Sequence, residues 1–286
     1  MIKTYAKQEV AAASFGLALL YMTVLSFDGV AISYGKTQGL PEDFIGAVRS
    51  LTAIIAMSAA VIYRFLVKCI GVRFTGLIGL TVISGSAFLC SLSAFLPGSP
   101  FGAIEYFTEL TLETWYGNFK NALQHAPINS TATPVYQLID IDWPTMTVNG
   151  KSMLSVLTFF LGLIIARLGY WISYLCITQQ MQETIPSHIR GTVSGVQGSL
   201  QSFFSVTKDI LLILLPDPKL FGLLILASTF CHFGGLLSYC YYLLQTISKH
   251  TTSEATIEET AVKLSSKIED SYEESTLVRD SFKIKA

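Results

Sequence analysis

The chain has 286 residues, is 51% hydrophobic and only 14% charged, and carries a formal net charge of −1. Soluble domains hold about 25% charged residues, so this composition excludes an ordinary water-facing globular surface. Near-neutral charge without a basic run also excludes a nucleic-acid-binding face, and no nucleic-acid partner is expected.

Residues 1–10 form a lead-in with Lys3, Lys7 and Glu9, predicted to lie in the cytoplasm. The run that follows is too long for a cleavable leader's apolar core, so none is expected. The first predicted span covers 11–35, where Asp28 is the only charged residue. A carboxylate at mid-bilayer costs roughly 2.5–3.5 kcal/mol on insertion scales, so it is expected to face a protein interior or a watery cavity. Gly29 follows it, and glycine is where a helix unwinds most cheaply. A charge beside a break in a spanning helix is how many transporters build an ion site. The first span therefore reads as two half-helices meeting near Asp28.

Further spans are predicted at 44–66, 75–97, 152–178, 190–215 and 218–247, with an external loop at 98–151. The expected architecture is an all-α membrane lobe of six helices over 11–247. Residues 248–286 are rich in Ser, Thr, Glu and Lys and read as a disordered cytoplasmic tail. Arg64, Lys68 and Arg73 fall in the connection after the second span with no acid beside them, which marks the cytoplasmic side and puts both termini there. The long loop is acidic. In it Glu105, Glu109 and Glu113 recur every four residues as in a short surface helix, and Asn129-Ser130-Thr131 is a glycosylation sequon.

Cys69, Cys90, Cys176, Cys231 and Cys240 lie in or beside apolar runs, with no CxxC, and read mostly as small buried hydrophobes. There is no HExxH, no GxSxG and no phosphate-cradling glycine loop, so catalysis is not expected. Arg49 and Arg167 are the cations at membrane level able to pair with Asp28, while Lys208 and Asp209 are expected to pair locally or reach the interface.

A set of short motifs then occurs in one order: LLYMTVLSFD at 19–28, TQGL at 37–40, TGLI at 75–78, PGSP at 97–100, ARLG at 166–169, RG at 190–191 with GVQ at 195–197, and PDP at 216–218 leading to FGLL at 221–224. In that order and against six spans, the chain resembles the ferroportin family, solute carrier family 40, over about residues 15–250. The resemblance implies one lobe, the C-terminal one, of a major-facilitator transporter that exports ferrous iron by alternating access. The N-terminal lobe is missing from this sequence and is an expected partner, as is membrane lipid. No cofactor is expected, Fe2+ being the transported substrate, and the plasma membrane is the implied location.

The resemblance also bears on the site. Vertebrate members carry a metal-binding thiolate immediately after the Asp of this span and an imidazole in the last span; here those positions are Gly29 and Leu236, with His232 one helical turn before Leu236. Glycine offers no side-chain donor, so a shifted metal or proton site at Asp28 with His232 and backbone carbonyls is the expectation. Thiol-dependent recognition by the peptide hormone hepcidin is not expected either. Arg190 falls on the family's intracellular gate, where a positive-inside anchor is the plainer reading. Two other functions remain open from the sequence: a non-transporting half-protein that binds a partner lobe or another membrane protein, and a major-facilitator carrier of an organic cation with Asp28 as counter-ion.

Overall fold

The computed structural model describes residues 1–25, 29–102, 108, 111–123, 141–142, 147–148, 151–215 and 218–249. Asp28, Asn129, Glu105, Glu109 and the tail beyond 249 lie outside the described residues. The chain divides into a compact unit over Met1–Cys240 and a second over Tyr241–Ala286.

The helices, in chain order, are α1 (Ile2–Ala6), α2 (Ala11–Leu19), α3 (Gly29–Thr37), α4 (Glu42–Ser93), α5 (Leu112–Leu123), α6 (Leu154–Thr184) and α7 (Ser187–Leu214), followed by α8 (Phe221–Lys249). Within the predicted external loop, β1 (Ile141–Asp142), β2 (Thr147–Val148) and β3 (Lys151–Ser152) form a small antiparallel sheet in that order, pairing Ile141 with Val148 and Thr147 with Ser152.

Among the described residues, three helices are long and apolar enough to cross a membrane: α4, α6 and α8. The other predicted spans depart from that standard for different physical reasons. The first is divided into α2 and α3, each of 9 residues. At ~1.5 Å per residue, each reaches about half of a ~30 Å hydrocarbon core. Helix α7, of 28 residues, is long enough but carries a polar stripe.

Between the second and third predicted spans, α4 is two helices joined across a kink at Gly71, so the connection is a single residue rather than a loop. Arg64, Lys68 and Arg73 are all helical within α4, and the only departure from helical torsion is Gly71, at φ 81° and ψ 164°. That region of torsion space is open to glycine and closed to most side chains, so one residue breaks the helix where several were expected to form a loop. At its other end α4 starts after Pro41, whose φ of −67° suits a helix entry, and Glu42 and Asp43 occupy the first turn, where the helix dipole favours negative charge.

Lys36 at the end of α3 reaches Glu42 at 2.7 Å. This hydrogen bond and the ammonium's charge hold the Glu42 carboxyl below its ordinary pKa. A folded-state pKa below the unfolded one means that the pair's contribution is present above the ordinary carboxylate range and is lost as pH falls through the lowered value. A carboxyl-carbon NMR titration of the folded protein is expected to show Glu42 titrating below a free glutamate, and Lys36→Met to return it to the ordinary range.

The distribution of polarity is inverted relative to a water-soluble protein. Met57, Val61 and Phe65 on α4 are 68%, 71% and 69% exposed, as are Phe203, Val206, Ile210 and Ile213 to lesser degrees along one face of α7. Meanwhile Ser14, Thr52, Ser84, Ser173, Gln180 and Gln197 are buried. Contiguous apolar exposure of this kind belongs to a surface that meets lipid.

Inside, α4 packs along α6, and α2 lies against α6 and α7. An aromatic knot joins α3, α6 and α8: Tyr34 stacks on Phe221 at 4.5 Å between centroids and meets Phe159 edge-on at 5.2 Å. Leu25, Ile45, Val156 and Leu224 complete that cluster. Helices α2 and α8 cross where two glycines face each other. A Cβ on Gly16 would stand 2.8 Å from the Gly235 carbonyl oxygen, and one on Gly235 would stand 3.0 Å from that of Gly16. Small residues permit this approach in place of a hydrophobic driving force, which lipid does not supply. Gly16→Val is expected to destabilise the lobe by about 1–3 kcal/mol through overpacking against backbone, read as a lowered thermal midpoint in detergent. An unchanged midpoint would show that the crossing is not tight.

Candidate functional site

Where the first span breaks, its backbone needs new partners. After α2 ends, the Tyr21 and Met22 amides turn back onto the carbonyls of Ala18 and Leu19 at 3.1 and 3.0 Å. The Val24 amide then donates to the Ser228 hydroxyl on α8 at 3.0 Å, and the Leu25 amide to the Thr23 hydroxyl at 2.9 Å. A side chain from the last helix thus satisfies a peptide group that the broken helix leaves free, as burial requires.

Ser228 also positions the imidazole one turn on. Its carbonyl oxygen lies 2.6 Å from His232 Nδ1. A carbonyl only accepts, so Nδ1 carries the proton, and in a neutral ring Nε2 is left with its lone pair. His232 is 1% exposed, and Nε2 has no hydrogen-bond partner among the described residues. A buried acceptor left open in this way calls for an occupant.

Nε2 belongs to a residue that lines a cavity of about 180 Å³. The broken segment contributes Leu20, Tyr21, Thr23 and Leu25 to its wall; α6 contributes Ala166, Arg167 and Tyr170; α7 contributes Ser205 and Lys208; Ile83 of α4 closes it. Arg167 lies over the Trp171 ring at 5.7 Å from the centroid. Lys208 is paired with Asp209 at 3.3 Å, the local pairing expected from the sequence.

A second cavity, also of about 180 Å³, lies against the other part of α7. Arg190, Ser194, Gln197 and Gln201 line it from that helix, and Leu17, Tyr174 and Thr178 from α2 and α6. Arg190 donates to the Ile185 carbonyl at 3.1 Å. Gln197 accepts from the Tyr5 hydroxyl at 2.8 Å and donates to the Ser14 carbonyl at 2.9 Å, so α1 is fastened to α7 and α2.

Besides Gly198 in the second cavity, the α7 residues lining the two cavities are 190, 194, 197, 201, 205 and 208. Steps of three and four put them on one helical face, a polar stripe running most of the helix. The sequence reading singled out Arg190 and Lys208 but not Ser194, Gln197, Gln201 and Ser205 between them. The signal was present as polar residues at helical spacing opposite Phe203, Val206 and Ile210.

Of the predicted site residues, His232 lines the first cavity and Arg190 the second, while Asp28 and Asn129 lie outside the described residues. Gly29 begins α3. Cys231 is not part of the cavity wall. Among the described residues, no three His, Cys, Asp or Glu side chains gather as a metal-binding group. His232 therefore stands as a single donor beside oxygen-bearing neighbours.

Comparison with known proteins bears on this arrangement. The family model described as Ferroportin1 (FPN1) matches residues 2–231. Ferroportin of Canis lupus familiaris is 31% identical over 258 residues, which cover 85% of this chain and 44% of that protein. Ferroportin of Homo sapiens is 33% identical over 231 residues, 79% of this chain and 40% of that one. Solute carrier family 40 member 1 of Danio rerio is 34% identical over 227 residues, 78% and 40%. The chain thus spans less than half the length of these relatives. Among solved structures, a bacterial homologue of iron transporter ferroportin in the outward-facing state matches with TM-score 0.57 at 18% identity, over 85% of this chain and 47% of that one. A bacterial homologue in the outward-facing state with soaked iron matches with TM-score 0.56 at 18% identity, over 84% and 47%. These last two likenesses speak for the fold.

Proposed function

The chain belongs to the Ferroportin1 family, and from that premise we propose that it forms one lobe of a membrane transporter that exports ferrous iron or a similar divalent metal by alternating access. The observation that carries this reading is the polar stripe of α7, which lines both cavities while the opposite face of the same helix exposes Phe203, Val206 and Ile210. Polar side chains inside a membrane helix are costly unless they border water, protein or a substrate path. The curated relatives are ferroportins, and the fold is like that of a bacterial homologue solved with soaked iron.

In this reading the metal meets His232 Nε2, with Asp28 completing the donor set. An imidazole suits a borderline dication, and a carboxylate adds the hard oxygen and the compensating charge. Arg190 serves at the cytoplasmic gate, closing against the other lobe as the two rock. The lobe not contained in this sequence and membrane lipid are its partners. With Gly29 where vertebrate members have a thiolate, thiol-dependent binding of hepcidin is absent.

The test is transport by the complete protein, this lobe joined to its N-terminal counterpart, in proteoliposomes. Fe(II) efflux competed by Co(II) and indifferent to tetraethylammonium is expected. Efflux of an organic cation unaffected by either metal would replace this reading with the organic-cation carrier. No flux of either kind would favour the non-transporting half-protein.

A further inference from the structure

Helix α5 (Leu112–Leu123) lies within the segment read from the sequence as the external loop. Its start is built locally. The Thr111 carbonyl accepts from the Trp115 amide at 2.9 Å, and the Thr114 hydroxyl accepts from the Thr111 amide at 2.9 Å. Local bonds of this kind satisfy groups that a helix end leaves free. In sequence, Leu112, Trp115, Tyr116, Phe119 and Leu123 recur at steps of three and four, which puts these positions on one side of the helix. Glu113, Gly117, Lys120 and Asn121 fall on the other side, and one acid against one base leaves the helix uncharged overall. Amphipathic helices with an aromatic stripe lie in the plane of a membrane interface. Tryptophan and tyrosine are favoured there because each joins an apolar ring to a polar tip.

A bond to α7 sets the level of α5. Trp115 Nε1 donates to the Leu214 carbonyl at 2.9 Å. Leu214 ends α7 away from Arg190, in a last turn whose carbonyls have no helical partner. The apolar face that α7 turns to lipid runs to this point, with Ile210 and Ile213 50% and 56% exposed. On α5, Tyr116 follows the tether and is 63% exposed. The lipid-facing surface of α7 thus continues onto α5.

We propose that α5 is an interfacial anchor: it lies on the bilayer at headgroup level, with its aromatic side about 5–10 Å deep, and through Trp115 it holds the end of α7 there. In the orientation read from the charges, this is the external leaflet. Because α7 lines both cavities, the anchor fixes one end of the helix that borders them. The partner is lipid, recognised by apolar area: with Glu113 and Lys120 in balance, binding does not depend on anionic headgroups. This placement holds whichever solute the lobe moves.

The experiment attaches a nitroxide to the full chain in phosphatidylcholine nanodiscs, in a Cys69→Ala, Cys231→Ala, Cys240→Ala background; Cys90 and Cys176 are buried. Glu113→Cys, Tyr116→Cys, Gly117→Cys and Lys120→Cys are labelled one at a time. Each is compared for collision with oxygen, which partitions into lipid, and with a water-soluble nickel chelate. The label at 116 is expected to favour oxygen, at a depth of about 5–10 Å, and the other three to favour the chelate. Adding phosphatidylserine is expected to change neither preference. All four positions favouring the chelate would overturn the anchor, as would insertion that requires the anionic lipid. The same set is read in the complete transporter. A label at 116 shielded there from both collision partners would show that the other lobe covers α5, and would also overturn it.

Trp115→Phe keeps an aromatic ring and removes the donor. It is expected to leave the collision pattern in place and to speed amide exchange over 211–215 by about two- to tenfold, the worth of one hydrogen bond, while α4 and α6 keep their rates. Unchanged exchange over 211–215, or a rise spread through α4 and α6, would overturn the tether.

Discussion

His232→Ala, placed in the complete transporter, is expected to lower Fe(II) efflux by about 10–100-fold or more. Removing even an outer partner of a metal ligand costs about that factor, and in the proposed site the donor atom itself would be lost. The reasoning starts from one hydrogen bond: the Ser228 carbonyl fixes the proton on Nδ1, at 2.6 Å, and so fixes the lone pair on Nε2. The same residue's hydroxyl holds the Val24 amide, so the imidazole and the broken backbone share one support. Cys231→Ser, next in sequence but outside the cavity wall, should leave efflux at the wild-type rate. Asp28→Ala is expected to act in the same direction as His232→Ala, and the double variant to be no worse than the weaker single if both serve one ion. Efflux from proteoliposomes loaded with Fe(II) reads all four proteins. Wild-type rates in both His232→Ala and Asp28→Ala would remove the cavity from the transport path.

The largest effect on stability is expected at Tyr239. Its side chain is fully buried; the hydroxyl donates to the Arg73 carbonyl at 2.8 Å and receives the Gln180 amide at 2.8 Å. The ring fills space that Gly76 leaves open, with the hydroxyl lying against the glycine where a Cβ would otherwise stand. Tyr239→Ala removes a large ring and leaves Gln180 without its acceptor. Large-to-small changes of this kind cost about 3–5 kcal/mol, and a buried amide without a partner costs about 1–3 kcal/mol besides.

Tyr239→Phe isolates the second contribution. Gln180 Oε1 has no hydrogen-bond partner among the described residues, so the variant leaves the amide without a partner there. The double variant Tyr239→Phe with Gln180→Leu is then expected to recover most of the loss, because removing both polar partners relieves the unmet demand. Thermal midpoints in detergent for the singles and the double form the cycle. A double variant as unstable as the sum of its singles would show that the pair is not coupled.

How much of this was legible in the sequence depends on whether the cause is local. Helices α6 and α8 follow from long apolar runs, and their limits, Leu154–Thr184 and Phe221–Lys249, lie within several residues of the predicted 152–178 and 218–247. The division of the first span was readable from Asp28 and Gly29. Its extent was not, because α2 gives way already at Leu20, and the hydroxyl that accepts from the freed Val24 amide belongs to Ser228, far along the chain. Arg64, Lys68 and Arg73 suggested a loop by composition, whereas Gly71 at φ 81° breaks the helix within a single residue. His232 was found by its place one turn along the last span, but the direction of its open nitrogen depends on the tautomer, which only the Ser228 contact fixes. The stripe on α7 was visible in principle. Serine and glutamine occur on packed and cavity-lining faces alike, so only the fold assigns this face to the cavities.

The position of Trp171 has an optical consequence. Its indole lies under the Arg167 guanidinium at 5.7 Å, and its Nε1 has no hydrogen-bond partner among the described residues. Indole emission shifts with the electric field along the ring, and a fixed positive charge close to its face supplies a standing field. Any ion that enters the cavity and alters that field tunes the colour of the chromophore, so the lobe contains its own spectral voltmeter. Replacing Trp115 and Trp143 by phenylalanine would leave that signal to be read from Trp171 alone.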